Sequence, residues 1–196
     1  MKNKFKLQYE DDLLRRLDKL KKRHELDMPL IKQAIKWAKH YHSEQFRHSG
    51  EPFYSHPIEV AKIVLDYSCN TNVIIAAILH DVVEDTNLIE EAISIVFNRD
   101  IFNKVMALTT LRNNVKLDAH NKLYSLYQSY DKEIILIKLC DRLHNMRTIA
   151  HKPPHKQHVI ALQTLQTFVP LAKYMNVPKI EQELSEICSS ILLKSK

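Results

Sequence analysis

One glycine in 196 residues leaves almost no material for glycine-dependent structure. Two-residue hairpin turns and phosphate-wrapping loops need positive φ or close backbone approach, so a hairpin-rich protein, a P-loop and a dinucleotide-binding Rossmann fingerprint are excluded. Cysteine is scarce too. Cys69, Cys140 and Cys188 lie far apart and form neither a close-spaced metal pair nor a disulfide framework, which makes a reducing, cytoplasmic compartment the expectation. No apolar run approaches the ~20 residues of a membrane span, and the basic N terminus is not followed by an apolar signal segment. A soluble chain without a membrane partner is expected. Acidic charge does not predominate, since 29 Lys and Arg face 23 Asp and Glu for a net charge of +6. Such a balance attracts polyanions. The basic residues are spread out, however, and in the densest stretch, Arg15 to Arg23, Lys19, Lys21 and Lys22 alternate with Leu17 and Leu20 as on a solvated helix face. A small phosphorylated ligand fits this surface as well as RNA does.

With 45% hydrophobic residues and pervasive helical spacing, the sequence reads as all-α, a compact bundle of about 9–10 helices. Residues 1–26 form an amphipathic helical arm through Leu13, Leu14, Leu17 and Leu20, one that packs weakly or pairs with a partner; residues 27–196 form one globular domain. Asp27 caps a helix with Pro29 in its first turn, and Asn70-Thr71 caps a central helix over residues 72–85. Other helices are expected at 58–67, 88–97, 100–111, 117–129, 134–147, 156–175 and 178–194, with Pro170 kinking the penultimate one. In that helix Val159, Leu162, Leu165, Phe168, Val169 and Leu171 are expected to face inward.

The central helix carries the chemistry. Its dense apolar run, Val73 to Leu79, delivers His80, Asp81, Glu84 and Asp85 within six residues, and burying such charge is costly unless something compensates it. In a continuous helix Glu84 lies one turn from His80 and Asp85 one turn from Asp81. A second run, Ile134 to Cys140, turns ionisable at Asp141, with Asn145 one turn further on. A buried Asp141 needs a partner, either an arginine such as Arg142 or Arg147 or a metal. The loop Arg47-His48-Ser49-Gly50-Glu51-Pro52-Phe53-Tyr54-Ser55-His56-Pro57 holds the single glycine and places His56 at a helix start. There it serves as a cap or surface residue, or as a ligand. Together His56, His80, Asp81 and Asp141 offer mixed nitrogen and oxygen donors suited to Mn²⁺, Fe²⁺ or Zn²⁺. Glu84 and Asp85 are then left off the metal, as general acid/base chemistry requires. His151, His155 and His158 also suggest a metal site, but Lys152 and Lys156 beside them favour a solvated surface.

Three stretches, Arg47 to Pro57, Leu79-His80-Asp81-Val82-Val83-Glu84-Asp85-Thr86 and Ile137 to Thr148, closely resemble the hydrolase domain of RelA/SpoT alarmone enzymes within the HD metal-dependent phosphohydrolase superfamily. Pro170-Leu171-Ala172 and Lys179 to Leu184 match as well, so the likeness covers about residues 30 to 190. This resemblance implies a guanosine-3′,5′-bis(diphosphate) 3′-pyrophosphohydrolase that converts (p)ppGpp to GDP or GTP and pyrophosphate, with one Mn²⁺ per chain. It implies His56, His80, Asp81 and Asp141 as ligands and Glu84 with Asp85 as catalytic groups. Arg47, Ser49, Asn145 and Thr148 are implied as substrate contacts. The expected partner is the nucleotide alone, with neither nucleic acid nor membrane, and a homo-oligomer is compatible with it. His48 and Cys140 replace residues common in the family without removing a ligand, and residues 109–130 match poorly. No synthetase domain follows, so a stand-alone form is expected. The alternatives are an HD phosphohydrolase of NADPH or a nucleoside polyphosphate, and a non-catalytic alarmone-binding module.

Overall fold

A computed structural model describes the backbone of residues 2–115 and 131–193 and the side chains of residues 9–109 and 131–193. Every regular element among them is a helix, joined by one isolated antiparallel bridge between Phe46 and Pro52. The expected helix at 117–129 lies outside the described residues. The chain forms two compact units, Met1–Leu111 and Arg112–Lys196.

The first unit contains α1 (Lys2–His24), α2 (Met28–Tyr41), α3 (Ser55–Val64), α4 (Thr71–Leu79), α5 (Val82–Asp85) and α6 (Glu91–Val96), and most of α7 (Arg99–Val115). Its centre is α4, in which every residue from Val73 to Leu79 is fully buried. A helix apolar on all sides must be enclosed, and α2 and α3 pack against this one. The Asn70 side chain starts it by accepting from the amide of Asn72 at 2.9 Å, and Asp27 starts α2 likewise from Leu30 at 2.9 Å. Trp37 on α2 meets Tyr41 and Phe97 edge-on.

The arm is a packed element of this unit. Leu13 and Leu17 are fully buried, and α1 lies on α3, where the Arg16 guanidinium bonds the Lys62 carbonyl at 2.9 Å and the Asp66 carboxylate at 2.6 Å. Removing a buried leucine costs its transfer free energy and leaves a cavity. Leu17→Ala is therefore expected to lower stability by about 2–5 kcal/mol, measured as the shift of the urea midpoint at constant slope. A change within the ~0.5 kcal/mol of an ordinary surface substitution would show that α1 does not belong to the folded unit.

The continuous helix expected over 72–85 is interrupted. It stops at Leu79, turns at His80 and Asp81, and resumes as the four-residue α5. The cause is local: the His80 ring Nδ1 bonds the Ala77 carbonyl at 2.8 Å, competing for the acceptor that a continuing helix offers to the amide of Asp81. The 88–97 helix shrinks to α6, and the 100–111 helix extends at both ends as α7.

The second unit contains α8 (Lys132–Arg147), a 3₁₀ turn at Ile149–His151, α9 (Pro154–Gln163), a π turn at Thr164–Phe168, α10 (Val169–Tyr174) and α11 (Pro178–Leu193). Asp131 caps α8 by accepting from Glu133 at 3.0 Å, and α11 buries Ile180, Leu184 and Cys188. The disturbance expected from Pro170 takes the form of the π turn just before it, the kind of ladder defect that bends helices. The buried face also differs from expectation. Phe168 and Leu171 are inside, but Val159 is 52% exposed and Leu162 40%, while Ala161 and Thr164 are fully buried. Thr164 reaches the interior because its hydroxyl donates to the Ile160 carbonyl at 2.7 Å within its own helix. Burial then costs no unmade hydrogen bond.

Candidate metal centre

Three of the expected ligand residues stand together in the first unit. His56 lies in the first turn of α3 and His80 and Asp81 at the break after α4, all at most 7% exposed. His56 is therefore neither a surface residue nor a cap; the N-cap position of α3 is Tyr54. Its Nε2 is 3.5 Å from one Asp81 oxygen, and the Nε2 of His80 is 3.3 Å from the other. The two imidazole rings lie 5.3 Å apart at 64°, with ligand nitrogens within 4.8 Å of one another.

The protonation pattern of His80 follows from its neighbours. The Ala77 carbonyl is acceptor-only, so Nδ1 carries the proton that bonds it at 2.8 Å. In the neutral ring Nε2 then presents a lone pair towards a carboxylate oxygen, also a lone-pair donor. Two such atoms face each other stably only with a positive charge between them. A proton on Nε2 or a divalent cation meets this need, and a histidine whose second nitrogen donates to a backbone carbonyl is the usual arrangement of a metal ligand. Two imidazoles and a carboxylate suit a first-row transition metal. The residues present fit the group.

Glu84 and Asp85 follow on α5, both half-buried. Although the regular helix is interrupted at His80, Asp85 stays one turn beyond Asp81, its amide donating to the Asp81 carbonyl at 3.0 Å, and the Gln45 amide group donates to the Asp85 carbonyl at 2.5 Å.

The loop before α3 has one defined shape. The Arg47 amide donates to the Glu51 carbonyl at 2.8 Å and the Gly50 amide to the Arg47 carbonyl at 2.9 Å. Gly50 sits at φ +85°, a value that strains any side-chain-bearing residue, although a Cβ there would meet nothing within 4 Å. The Glu51 carboxylate holds both sides, accepting from the Ser49 hydroxyl at 3.1 Å and from the Tyr9 hydroxyl of α1 at 2.6 Å. Burial, with the Glu51 carboxylate beside it, pushes the Tyr9 hydroxyl well above the usual tyrosine range, so it stays a donor.

In the second unit Asp141 is on α8 with its side chain 13% exposed. It accepts from the Asn145 amide at 2.6 Å and pairs with Lys138 at 3.3 Å. The arginines expected as its alternative partners have other main engagements. Arg142 stacks over the Phe168 ring at 4.1 Å, and Arg147 grips the Glu183 carboxylate bidentately at 2.6 and 2.7 Å, holding that carboxyl below the usual range. Thr148 closes α8, its hydroxyl 3.2 Å from the His144 carbonyl. His151 and His155 are exposed and His158 half-exposed, and no metal-type group of side chains forms there among the described residues.

Sequence reasoning misses two residues of this neighbourhood. His42, 1% exposed, and Gln45 lie just after α2, where a lone histidine reads as the polar end of a helix. The usable clue was their spacing of three, directly before the structured loop.

An HD domain model matches residues 34–177. The chain is 38% identical over 172 residues to the putative GTP diphosphokinase RSH1 of rice (Oryza sativa subsp. japonica), covering 81% of this chain and 19% of that one. It is 33% identical over 174 residues to the guanosine-3′,5′-bis(diphosphate) 3′-pyrophosphohydrolase of Borreliella burgdorferi, covering 83% and 25%. The chain thus spans about a fifth to a quarter of the length of these curated relatives. Among solved structures it superposes on a metazoan ortholog of SpoT, described as hydrolysing ppGpp, with a TM-score of 0.69 and 24% identity over 82% of this chain and 94% of that one. That likeness establishes the all-helical fold, and the family match over residues 34–177, on which the buried His56, His80 and Asp81 lie, establishes the lineage: this chain belongs to the HD-domain family.

Proposed function

We propose that the chain is a Mn²⁺-dependent (p)ppGpp 3′-pyrophosphohydrolase acting in the cytoplasm, with residues 27–196 as its catalytic region and 1–26 as an arm. The observation that carries this reading is the buried His56–His80–Asp81 group, in which an imidazole lone pair and a carboxylate converge, followed within four residues by two half-buried carboxylates. The activity for which the Borreliella relative is named supports the substrate. For the compartment, no disulfide joins Cys69, Cys140 or Cys188, and no described helix is long and apolar enough to cross a membrane.

In this reading His56, His80 and Asp81, with Asp141 as fourth ligand, hold one ion, which when bound supplies electrophilic activation of the phosphate and of the attacking water. Glu84 and Asp85 manage the protons. One carboxylate takes a proton from the water that attacks the 3′-phosphorus, and a proton is returned to the ribose 3′-oxygen as the P–O bond breaks and pyrophosphate leaves. Arg47 supplies a planar cation for phosphate or base. Ser49 and Thr148 already commit their hydroxyl protons, to Glu51 and to a backbone carbonyl, so each has lone pairs to offer a base or ribose donor. Asn145 donates to Asp141 at 2.6 Å and so stands beside a ligand as the nucleoside contact of this reading.

The deciding experiment is incubation of the purified protein with Mn²⁺ and ppGpp, following GDP and pyrophosphate, with GTP and NADPH as competing substrates and GTP plus ATP as a test for synthesis. Absence of ppGpp turnover, equal turnover of NADPH, or net synthesis would overturn the assignment. Two variants examine the substrate contacts. Arg47→Ala should raise KM without changing Mn²⁺ content. Asn145→Ala should lower kcat/KM and weaken Mn²⁺ retention by about 10–100-fold, the usual cost of losing a ligand's outer hydrogen-bond partner. Unchanged metal affinity in that variant would separate Asn145 from the metal and leave it a substrate contact alone.

A further inference from the structure

His42 is a buried imidazole that the proposed chemistry does not use. Its ring is tilted against Phe53 at 4.7 Å, its Nδ1 lies 2.8 Å from the Gln45 side-chain oxygen, and its Nε2 has no hydrogen-bond partner among the described residues. The network fixes every proton in this pair. Because the Asp85 carbonyl can only accept, the nitrogen of the Gln45 amide must face it; the amide oxygen then faces His42, whose Nδ1 must be the protonated nitrogen. Burial pushes the His42 imidazole pKa down, so the ring stays neutral and donates from Nδ1. The backbone of Gln45 is pinned as well, accepting from the Phe53 amide at 2.9 Å and donating to the His42 carbonyl at 3.1 Å.

The other end of this strap explains its presence. A helix of four residues cannot hold itself, since one turn fixes many dihedrals for a single hydrogen bond. After α5 the chain turns extended at Thr86, which leaves the last carbonyls without helical partners. Gln45 takes one of them, the carbonyl of Asp85, the residue whose carboxylate is at issue. Building on the reading of Glu84 and Asp85 as the acid/base pair, we propose that His42 and Gln45 are positioning residues: through the Asp85 carbonyl they hold α5, and so fix the two carboxylates relative to the metal ligands at its start.

The test compares Mn²⁺-loaded full-length variants. An asparagine places an N–H about where the histidine Nδ1 lies, whereas a glutamine reproduces the Nε2 end. Gln45→Met and His42→Gln should therefore lower kcat for ppGpp by about 10–100-fold, the scale of a ~1 Å misplacement, with KM and Mn²⁺ content little changed. His42→Asn should recover most of that loss. Equal damage from His42→Asn and His42→Gln, or a loss carried by KM or by Mn²⁺ content, would overturn the proposal. Hydrogen exchange of the amides from Val82 to Leu88 keeps this test separate from the functional reading. If the wild-type protein fails to hydrolyse ppGpp, the proposed activity falls, yet faster exchange there in Gln45→Met still supports the strap and unchanged exchange overturns it.

Discussion

Asp81→Ala is expected to abolish turnover and metal retention together. Asp81 faces both His56, at 3.5 Å, and His80, at 3.3 Å, and all three residues are buried. Its loss removes the anion that lets a dication sit among buried imidazoles, so affinity should fall beyond the ~10–100-fold typical of an outer-sphere partner. The same variant has a thermal signature. An ion present at 100 times its Kd stabilises the native state by about 2.7 kcal/mol, which for a chain of this size raises Tm by roughly 5–10 °C. Wild-type protein should melt that much higher with Mn²⁺ than with chelator, and Asp81→Ala should show no difference. If the variant retains stoichiometric Mn²⁺ and normal turnover, Asp81 is not a ligand and the centre has been misplaced. Should the wild type show no Mn²⁺ shift while the variant is less stable than it, the carboxylate serves only as the buried partner of the two imidazoles, without a metal role.

The parts of this site that were legible in the sequence share a physical cause. An apolar run that ends abruptly in ionisable residues can be satisfied only by enclosure followed by compensation, and Val73 to Asp85 has that form, as does Ile134 to Asp141. Caps were legible for a related reason: Asp27 and Asn70 each stand before an apolar period and satisfy a free amide locally. The break at His80 was hidden because it depends on one side-chain bond to the Ala77 carbonyl, and periodicity carries no information about which acceptor a ring nitrogen will take. The buried stripe of α9 and the π turn was misjudged because a threonine that bonds its own helix can replace a leucine in a core. His42 and Gln45 were invisible for the converse reason. Their importance lies in partners forty residues away, and a histidine at the end of α2 carries no periodic signal of burial.

Glu84→Gln combined with Asp85→Asn should separate ligands from chemistry. Both residues lie on α5, which begins after Asp81 and whose carbonyl end is held by Gln45, and neither substitution touches that backbone contact. The amides are near-isosteric with the carboxylates and keep hydrogen-bonding capacity, but they neither accept a proton from water nor return one to a leaving oxygen. General acid/base contributions are typically about 10²–10⁴-fold, so kcat should fall by that order while KM for ppGpp changes little, the pattern of an interaction made only in the transition state. Mn²⁺ content and its thermal shift should match the wild type. Loss of metal in this double variant would mean that α5 supplies a ligand. The cation between His80 and Asp81 would then be held from the helix as well as from its start, and the water-handling role would have to pass to another group.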